Sequence, residues 1–446
     1  MSNLKEKIYI SSPYLIQNIL LSFFAYNRNK KFRKNRFYIE HKESSKKFEF
    51  LDRTTIDQYQ KDKLFELLQL AINNVEFYKK LGIKSLNRDS ILEDLKKFPI
   101  VDKSIINENF NEFINPNYKG TKNEFKTSGT TGSPFLAYEA EESTAYEYLI
   151  VERMRSRFGY TKAHKISSFI GRKVMAIDKE FNKYYRINYT DKQQIFSYWH
   201  YTENKIKDYI HQLNQFNPDY INGYPSFLYL IARDGLKYNL KPISVKAIFT
   251  SSEKLLDHQK VVIEKFFNAP IADYYGLTEH VLSISMCKNG NYHLDEDLSY
   301  LEIIEGNVYA TSFNNTAMPL IRYKVTDKIQ FDYTNTCSCG SNLKLMLQPD
   351  GREDDYIISS SGKMYGRLGR LFQLDIKIDE AQIRQTAIDK LEILVVYNEE
   401  FVSLNKQEFV SYLNEWFNQE FQISVKKVDQ IEREKNGKLK FVKRLI

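Results

Sequence analysis

Cysteine is scarce: the 446-residue chain contains three. That number excludes a disulfide framework and fits a reducing compartment, so a cytoplasmic protein is expected. Long apolar runs are missing too, and none is long enough to span a bilayer. The nearest approach, residues 8–26, is broken by Ser11, Ser12, Pro13, Gln17 and Asn18. No small-residue cleavage site follows it, which argues against a signal peptide. Charge of one sign is only mildly in excess, at +8. Such a balance suits anionic ligands such as nucleotides, or weak attraction to an anionic membrane. It does not require nucleic acid, because basic and acidic residues are interleaved. Internal repeats and low-complexity linkers are also absent.

The length predicts two or three domains, and a 42% hydrophobic share is that of a globular protein rich in aromatics. A cationic cluster, Arg28, Lys30, Lys31, Arg33, Lys34 and Arg36, follows residues 8–26. An amphipathic helix beside such a patch can lie on a membrane surface, including the inner face of a cell membrane. The alternative is a core-packing helix followed by a solvated loop. We take the second as the expectation, since charge runs are usually solvated faces. Membrane contact is then peripheral at most.

Helical spacing of Leu64, Leu67, Leu68, Ala71 and Val75 predicts a helix over 56–80 within a largely helical lead-in of about a hundred residues. The middle of the chain alternates. Helices are expected over 204–216, 226–238 and 255–267, and strands over 219–224, 245–250 and 270–275. This alternation predicts a parallel sheet with crossover helices. Ligands bind beyond the carboxyl ends of such strands. Those ends are Tyr224-Pro225-Ser226, Ser251-Ser252-Glu253 and Tyr275-Gly276-Leu277-Thr278-Glu279. Hairpins are expected around residues 305–307, 361–362 and 389–390, a helix over 404–418, and a last strand over 423–428. The fold class read from this is α/β plus α+β and multidomain. A large N-terminal domain of residues 1–352 with mixed and parallel sheets precedes a small C-terminal α+β domain of residues 353–446.

Ahead of the alternating region lies Thr127-Ser128-Gly129-Thr130-Thr131-Gly132-Ser133-Pro134. Glycines let backbone N–H groups turn inward, and the hydroxyls add donors, so the loop suits a polyphosphate. It is not a Walker A loop, because no Lys-Ser/Thr pair follows the second glycine. A surface turn is the plain alternative.

Five segments stand in order: 127–134, Tyr274 to Glu279, Arg322 to Asp327, Gly351-Arg352-Glu353-Asp354-Asp355, and Asn436-Gly437-Lys438. Their order resembles the adenylate-forming (ANL) superfamily of acyl-CoA synthetases, adenylation domains and luciferases. The runs 217–226 and 319–323 are similar to the phenylacetate–CoA ligase and CapK group within it. The resemblance implies the ANL fold with a mobile small domain, and activation of a carboxylate by ATP. By resemblance, Ser128, Gly129, Thr130, Thr131 and Gly132 wrap the β- and γ-phosphates, and Thr127 belongs to the same ATP site. Glu279 holds Mg²⁺, and Thr278 meets the α-phosphate. Tyr275 lies near the adenine, with Ser251, Ser252 and Glu253 on the other side, and Tyr274 and Gly276 are further ATP-binding residues. Asp327 and Arg352 take the ribose. Lys438 neutralises charge between carboxylate and α-phosphate, and Asp354 is the hinge. Plain alternatives stay open: Tyr275 as a buried strand aromatic, Asp327 as a turn residue, Glu279 as a helix first-turn acid, and Lys438 as one lysine of a basic tail. Phe135 stands where many members carry a lysine, a departure that the phenylacetate-ligase group often shares.

Tyr224, His200 and His280 are substrate candidates by chain position, although a lone histidine is more often structural. All three cysteines, Cys287, Cys337 and Cys339, fall in one window with His293. The four could close a structural Zn²⁺ site; three reduced cysteines in hairpins is the alternative. The expected partners are a small-molecule or sugar-linked carboxylate and an amine or thiol acceptor. The CapK likeness implies amide formation in capsule or O-antigen polysaccharide synthesis. Coenzyme A as acceptor is a second possibility, and a nucleotide-binding accessory protein that has lost catalysis a third.

Overall fold

The computed structural model describes residues 8–127, 135–176, 179–352, 357–360, 364–365, 368, 378–397, 403–417, 419–434 and 439–446. The chain divides into two compact units. The first gathers residues 1–26, 162–271 and 350–446, and the second residues 27–161 and 272–349.

The first unit contains the predicted alternating region. Strands Ile166–Ile170, Tyr220–Gly223 and Ala247–Ser251 run parallel, with Gln193–Ser197 parallel on the other side of Ile166–Ile170. Helices Ile206–Phe216, Pro225–Lys237 and Asp257–Phe267 are the crossovers. Asn217 ends the first of them in the left-handed region at φ 54°, and Pro218 prevents its continuation. The strands are buried on both faces, as crossover helices require. Phe169 stacks on Phe196 with ring centroids 4.7 Å apart, and Phe227 meets Phe169 edge-on. These rings explain part of the aromatic excess. Three strands here, at 166–170, 185–188 and 193–197, carry too little apolar alternation to be read from sequence.

The same unit holds the C-terminal residues. Strands Ile378–Ala387 and Lys390–Tyr397 form the predicted hairpin, flanked in parallel by Gln422–Lys427 on one side and Val442–Arg444 on the other. The strand Val442–Arg444 therefore comes after the one expected to be last; it is a short edge strand in a basic run, too polar to signal itself. Helix Ser403–Trp416 supplies Phe409 and Leu413 to a core shared with Ile383, Ile393 and Val425. Arg433 pairs with buried Glu380 and donates from Nε to the Tyr198 hydroxyl at 2.6 Å.

In the second unit the expected helix over 56–80 is two: Arg53–Asn74 and Glu76–Lys79. Val75 between them is extended at φ −104° and ψ 118°. The strand Ile271–Gly276 pairs antiparallel with Ser283–Met286, which pairs with Tyr292–Leu294. The predicted hairpin is Ser299–Ile304 with Asn307–Ser312, and Tyr323–Val325 extends it. Beneath these strands Arg153, on helix Glu141–Ser156, forks into Asp295 and Asp297 at 2.6–3.0 Å. Tyr146 donates to Asp297, and Ser283 and Ser285 donate to Asp295, each at 2.9 Å. Buried charges are tolerated here because each oxygen is matched.

Candidate active site

In the second unit the strand Ile271–Gly276 delivers Tyr274, Tyr275 and Gly276 and then opens into a turn. His280 N–H donates to the Leu277 carbonyl at 2.9 Å, and His280 takes a left-handed φ of 49°. The turn leaves Gly276 and Thr278 exposed and Glu279 buried. Glycine is required at 276, because a Cβ there would lie 2.8 Å from the Tyr274 ring.

Residues far apart in sequence meet at this turn. The Tyr275 hydroxyl donates to Asp327 Oδ2 at 2.5 Å. Glu279 Oε1 accepts from the Tyr323 hydroxyl at 3.1 Å and faces Lys103 Nζ at 3.3 Å. Lys103 gave no sequence signal. It begins helix Lys103–Glu108, which Asp102 caps, and Val101 just before it bridges Tyr323 in parallel. That bridge is what carries Lys103 to Glu279.

His280 is held between two carboxylates, with Nδ1 on Glu139 and Nε2 on Glu147. Burial opposes its charge, but Glu147 and Glu139 outweigh burial and raise its pKa to about 10. The imidazolium is therefore a fixed cation at neutral pH. Glu139 lies on strand Phe135–Ala140, whose partner is Lys122–Thr127 with Thr127 opposite Phe135. The phosphate-loop residues Ser128, Gly129, Thr130, Thr131 and Gly132 connect these two strands and lie outside the described residues. His280 thus ties the Glu279 turn to the strand that follows this loop.

The first unit holds the other predicted residues. Tyr224 caps helix Pro225–Lys237, with its N–H on the Phe169 carbonyl at 2.9 Å. Burial, with the Glu253 charge second, raises its hydroxyl pKa. Ser251 ends its strand, and Ser252 turns the chain at φ 73°. Glu253 Oε2 then accepts from Ser226 N–H at 3.0 Å, and Oε1 accepts from Leu439 N–H at 3.1 Å. Leu439 follows Lys438, so Glu253 touches the backbone next to the predicted lysine. Lys438 and Asp354 lie outside the described residues, as does the side chain of Arg352, which ends strand Asp350–Arg352. His200 is engaged on both sides, with Nδ1 on Ser197 Oγ at 2.8 Å and Nε2 on the Lys179 carbonyl at 3.0 Å. Burial lowers its pKa. This is the geometry of a structural histidine, with no ring nitrogen left for a substrate.

The cysteine window closes on itself in the second unit. The ligand atoms of Cys287, His293, Cys337 and Cys339 all lie within 4.8 Å of one another. A tight turn with Gly290 at φ 80° follows Cys287, and Gly340 at φ 88° follows Cys339. His293 Nδ1 is on the Leu343 carbonyl at 3.1 Å, which leaves Nε2 facing Cys339 Sγ at 3.5 Å. Burial opposes the Cys337 thiolate, but donors led by Asn291 outweigh it and bring the pKa to about 6. Three sulfurs and one oriented imidazole nitrogen are a donor set that fits a metal ion with four protein ligands.

A family profile described as the CapK C-terminal domain matches residues 359–445. The chain is 26% identical to Protein CapK of Staphylococcus aureus over 403 residues, covering 87% of this chain and 88% of that one. It is 24% identical to the phenylacetate-coenzyme A ligase of Pseudomonas putida, covering 68% and 71%. In fold it matches 2-hydroxyisobutyryl-CoA ligase, solved in the postadenylation state with R3-HIB-AMP. The TM-score is 0.68 at 17% identity, over 89% of this chain and 91% of that one.

Proposed function

We propose that the chain is an adenylate-forming enzyme of the ANL superfamily, in its CapK and phenylacetate–CoA ligase group, and that it activates a carboxylic acid with ATP. A carboxylate oxygen attacks the α-phosphorus, the bond to the β-phosphate oxygen breaks, and pyrophosphate leaves. The amine or thiol of the acceptor then attacks the acyl carbon of the adenylate, the bond to the phosphate oxygen breaks, and AMP leaves. The observation that carries this reading is the meeting of Tyr275 with Asp327 and of Glu279 with Tyr323. Sequence motifs about fifty residues apart converge on one turn, where the family's chemistry needs them.

Positioning and charge stabilisation are the main demands of both steps. In this reading Asp327 accepts from the ribose hydroxyls while Tyr275 orients its second oxygen. Thr278, exposed at the turn, donates to the α-phosphate. Thr127, Ser128, Gly129, Thr130, Thr131 and Gly132 surround the outer phosphates, and Arg352 joins the ribose. Glu279 fits a cation, because its buried carboxylate already faces an ammonium. Bound there, Mg²⁺ supplies charge neutralisation at the triphosphate. Lys438 serves the reacting oxygens, with Glu253 holding the neighbouring backbone. Residues 353–446 act as a small domain with Asp354 at the hinge; their own four-stranded sheet and core support that reading, although residues 350–446 cluster with residues 162–271 in one compact unit. Cys287, His293, Cys337 and Cys339 would hold a structural Zn²⁺, which would brace the hairpin next to the Glu279 turn. With four protein ligands no position is open for catalysis.

We take an amine as the acceptor, in capsule or O-antigen polysaccharide synthesis, following the CapK likeness. Coenzyme A is the alternative, supported by the phenylacetate-coenzyme A ligase relatives. ATP–pyrophosphate exchange with a panel of carboxylates, including uronic acids and amino acids, tests activation. Exchange with at least one acid is expected; no exchange with any, together with no nucleotide binding, would overturn both the amide and the thioester readings. Adding coenzyme A or amino sugars to the active acid then separates thioester from amide. Loss of exchange in Lys438→Ala, but not in Lys435→Ala or Lys440→Ala, is expected; equal activity in all three rejects the lysine assignment. Metal analysis of protein purified without chelator is expected to give one zinc per chain, and a sub-stoichiometric value counts against that site.

A further inference from the structure

Helix Tyr14–Arg33 is mounted with its polar side inward. Asn18 is fully buried and Gln17 is 1% exposed. Gln17 accepts from Arg186 Nε and donates to the carbonyls of Tyr9 and Ile10 at 3.0 and 3.2 Å. Asn18 Oδ1 accepts from Ile187 N–H at 2.9 Å, and Ser22 Oγ accepts from Tyr189 N–H at 2.8 Å. These bonds dock the helix on strand Tyr185–Asn188, with Leu21 and Ala25 filling the same side. The polar breaks in residues 8–26 are thus the helix's attachment to the protein.

The other side is apolar and faces outward. Leu15 is 65% exposed, Ile19 62% and Phe23 62%, with Ile16, Leu20 and Tyr26 beside them. A surface helix of a globular protein normally does the reverse. Spaced at 3.6 residues per turn, Lys30 falls on this same outward side and Lys31 at its edge beside Leu20, with Nζ 3.4 Å from Asn123 Oδ1; both lysines are exposed. The helix continues through Arg33, so much of the cationic cluster is helical rather than the solvated loop expected from sequence. No helix among the described residues is long and apolar enough to cross a membrane.

We propose that this helix lies in the plane of an anionic lipid surface. Leu15, Ile19 and Phe23 enter the boundary between headgroups and acyl chains, and Lys30 and Lys31 meet lipid phosphates. Charge selects this occupant. A second copy of the chain would bring the same lysines to the contact, whereas an anionic bilayer offers an apolar layer and the opposite charge together.

Co-sedimentation of the full chain with vesicles tests it, using phosphatidylcholine alone and phosphatidylcholine mixed with phosphatidylglycerol. Binding to the anionic vesicles, weakened by salt, is expected. The double variant Ile19→Ser with Phe23→Ser should weaken it by about a hundredfold or more. Lys30→Gln with Lys31→Gln should weaken it by roughly thirtyfold. These side chains are exposed, so the melting temperature is expected to hold, which separates lost binding from lost folding. Failure of the wild type to bind either vesicle overturns the proposal, as does equal binding by the first variant. So does a concentration-dependent dimer in light scattering that the first variant abolishes.

Discussion

Arg153 and Lys103 both face buried carboxylates in the second unit, yet they do so in opposite ways. Arg153 is 1% exposed, is held by Asp295, Asp297 and the Ser45 carbonyl, and sits under the strands that carry the turn. Lys103 leaves 36% of its side chain in solvent and reaches Glu279 from the rim. The first is a sealed network in which neither charge can leave. The second is a pair whose cation can be exchanged. Burial of the cation, rather than of the acid, separates a structural ion pair from a carboxylate kept ready for a ligand.

The comparison can be broken at each of its parts. Arg153→Ala leaves two acids buried without their cation and is expected to lower stability by about 3–5 kcal/mol; a urea melt checks it, and a loss below about 1 kcal/mol would remove the sealed-network reading. Glu279→Gln should reduce pyrophosphate exchange by about a hundredfold with little change in the melt, and unchanged exchange would show that the turn does not serve the reaction. His280→Asn removes the cation between Glu139 and Glu147 and is expected to cost about 2 kcal/mol. The wild-type contribution should follow pH with a definite sign. His280 has a raised folded pKa, so its stabilisation is complete below the ordinary value of 6.5 and fades as pH rises through about 10. The difference between wild type and variant should therefore shrink in alkali, and a constant difference between pH 6 and pH 10.5 would contradict the clamp. Lys103→Met is the smallest change. Removing a half-exposed partner worth about 0.2–1 kcal/mol should strengthen apparent Mg²⁺ activation by up to roughly fivefold, and weaker activation would mean that Lys103 itself binds the phosphates.

The site was legible where chemistry is local. Tyr275, Glu279 and Asp327, which the structure brings to one turn, are marked in the sequence by strand ends and ordered motifs, and the cysteine window by the rarity of thiols. Lys103 and the partners Glu139 and Glu147 of His280 carry no such mark. Each lies on an ordinary helix or strand, with no spacing that hints at its contact. His280 was noticed for standing next to Glu279, but its two carboxylates lie more than a hundred residues upstream. The strands at 166–170 and 193–197 escaped for a related reason: they are buried through serine and glutamine side chains that bond one another across the sheet, as Ser167 does with Gln194 at 2.8 Å.

By itself the sequence determined the element types of the alternating region and the order of the five motifs. Those depend on periodicity and turn chemistry, which are properties of neighbours along the chain. Which acid meets which base was decided only by the tertiary structure, because ion pairs and hydrogen bonds form across long loops whose closure leaves no local trace. The same holds for helix Tyr14–Arg33. Its sequence contains an apolar and a polar side, but only docking on strand Tyr185–Asn188 decided that the polar side faces the protein.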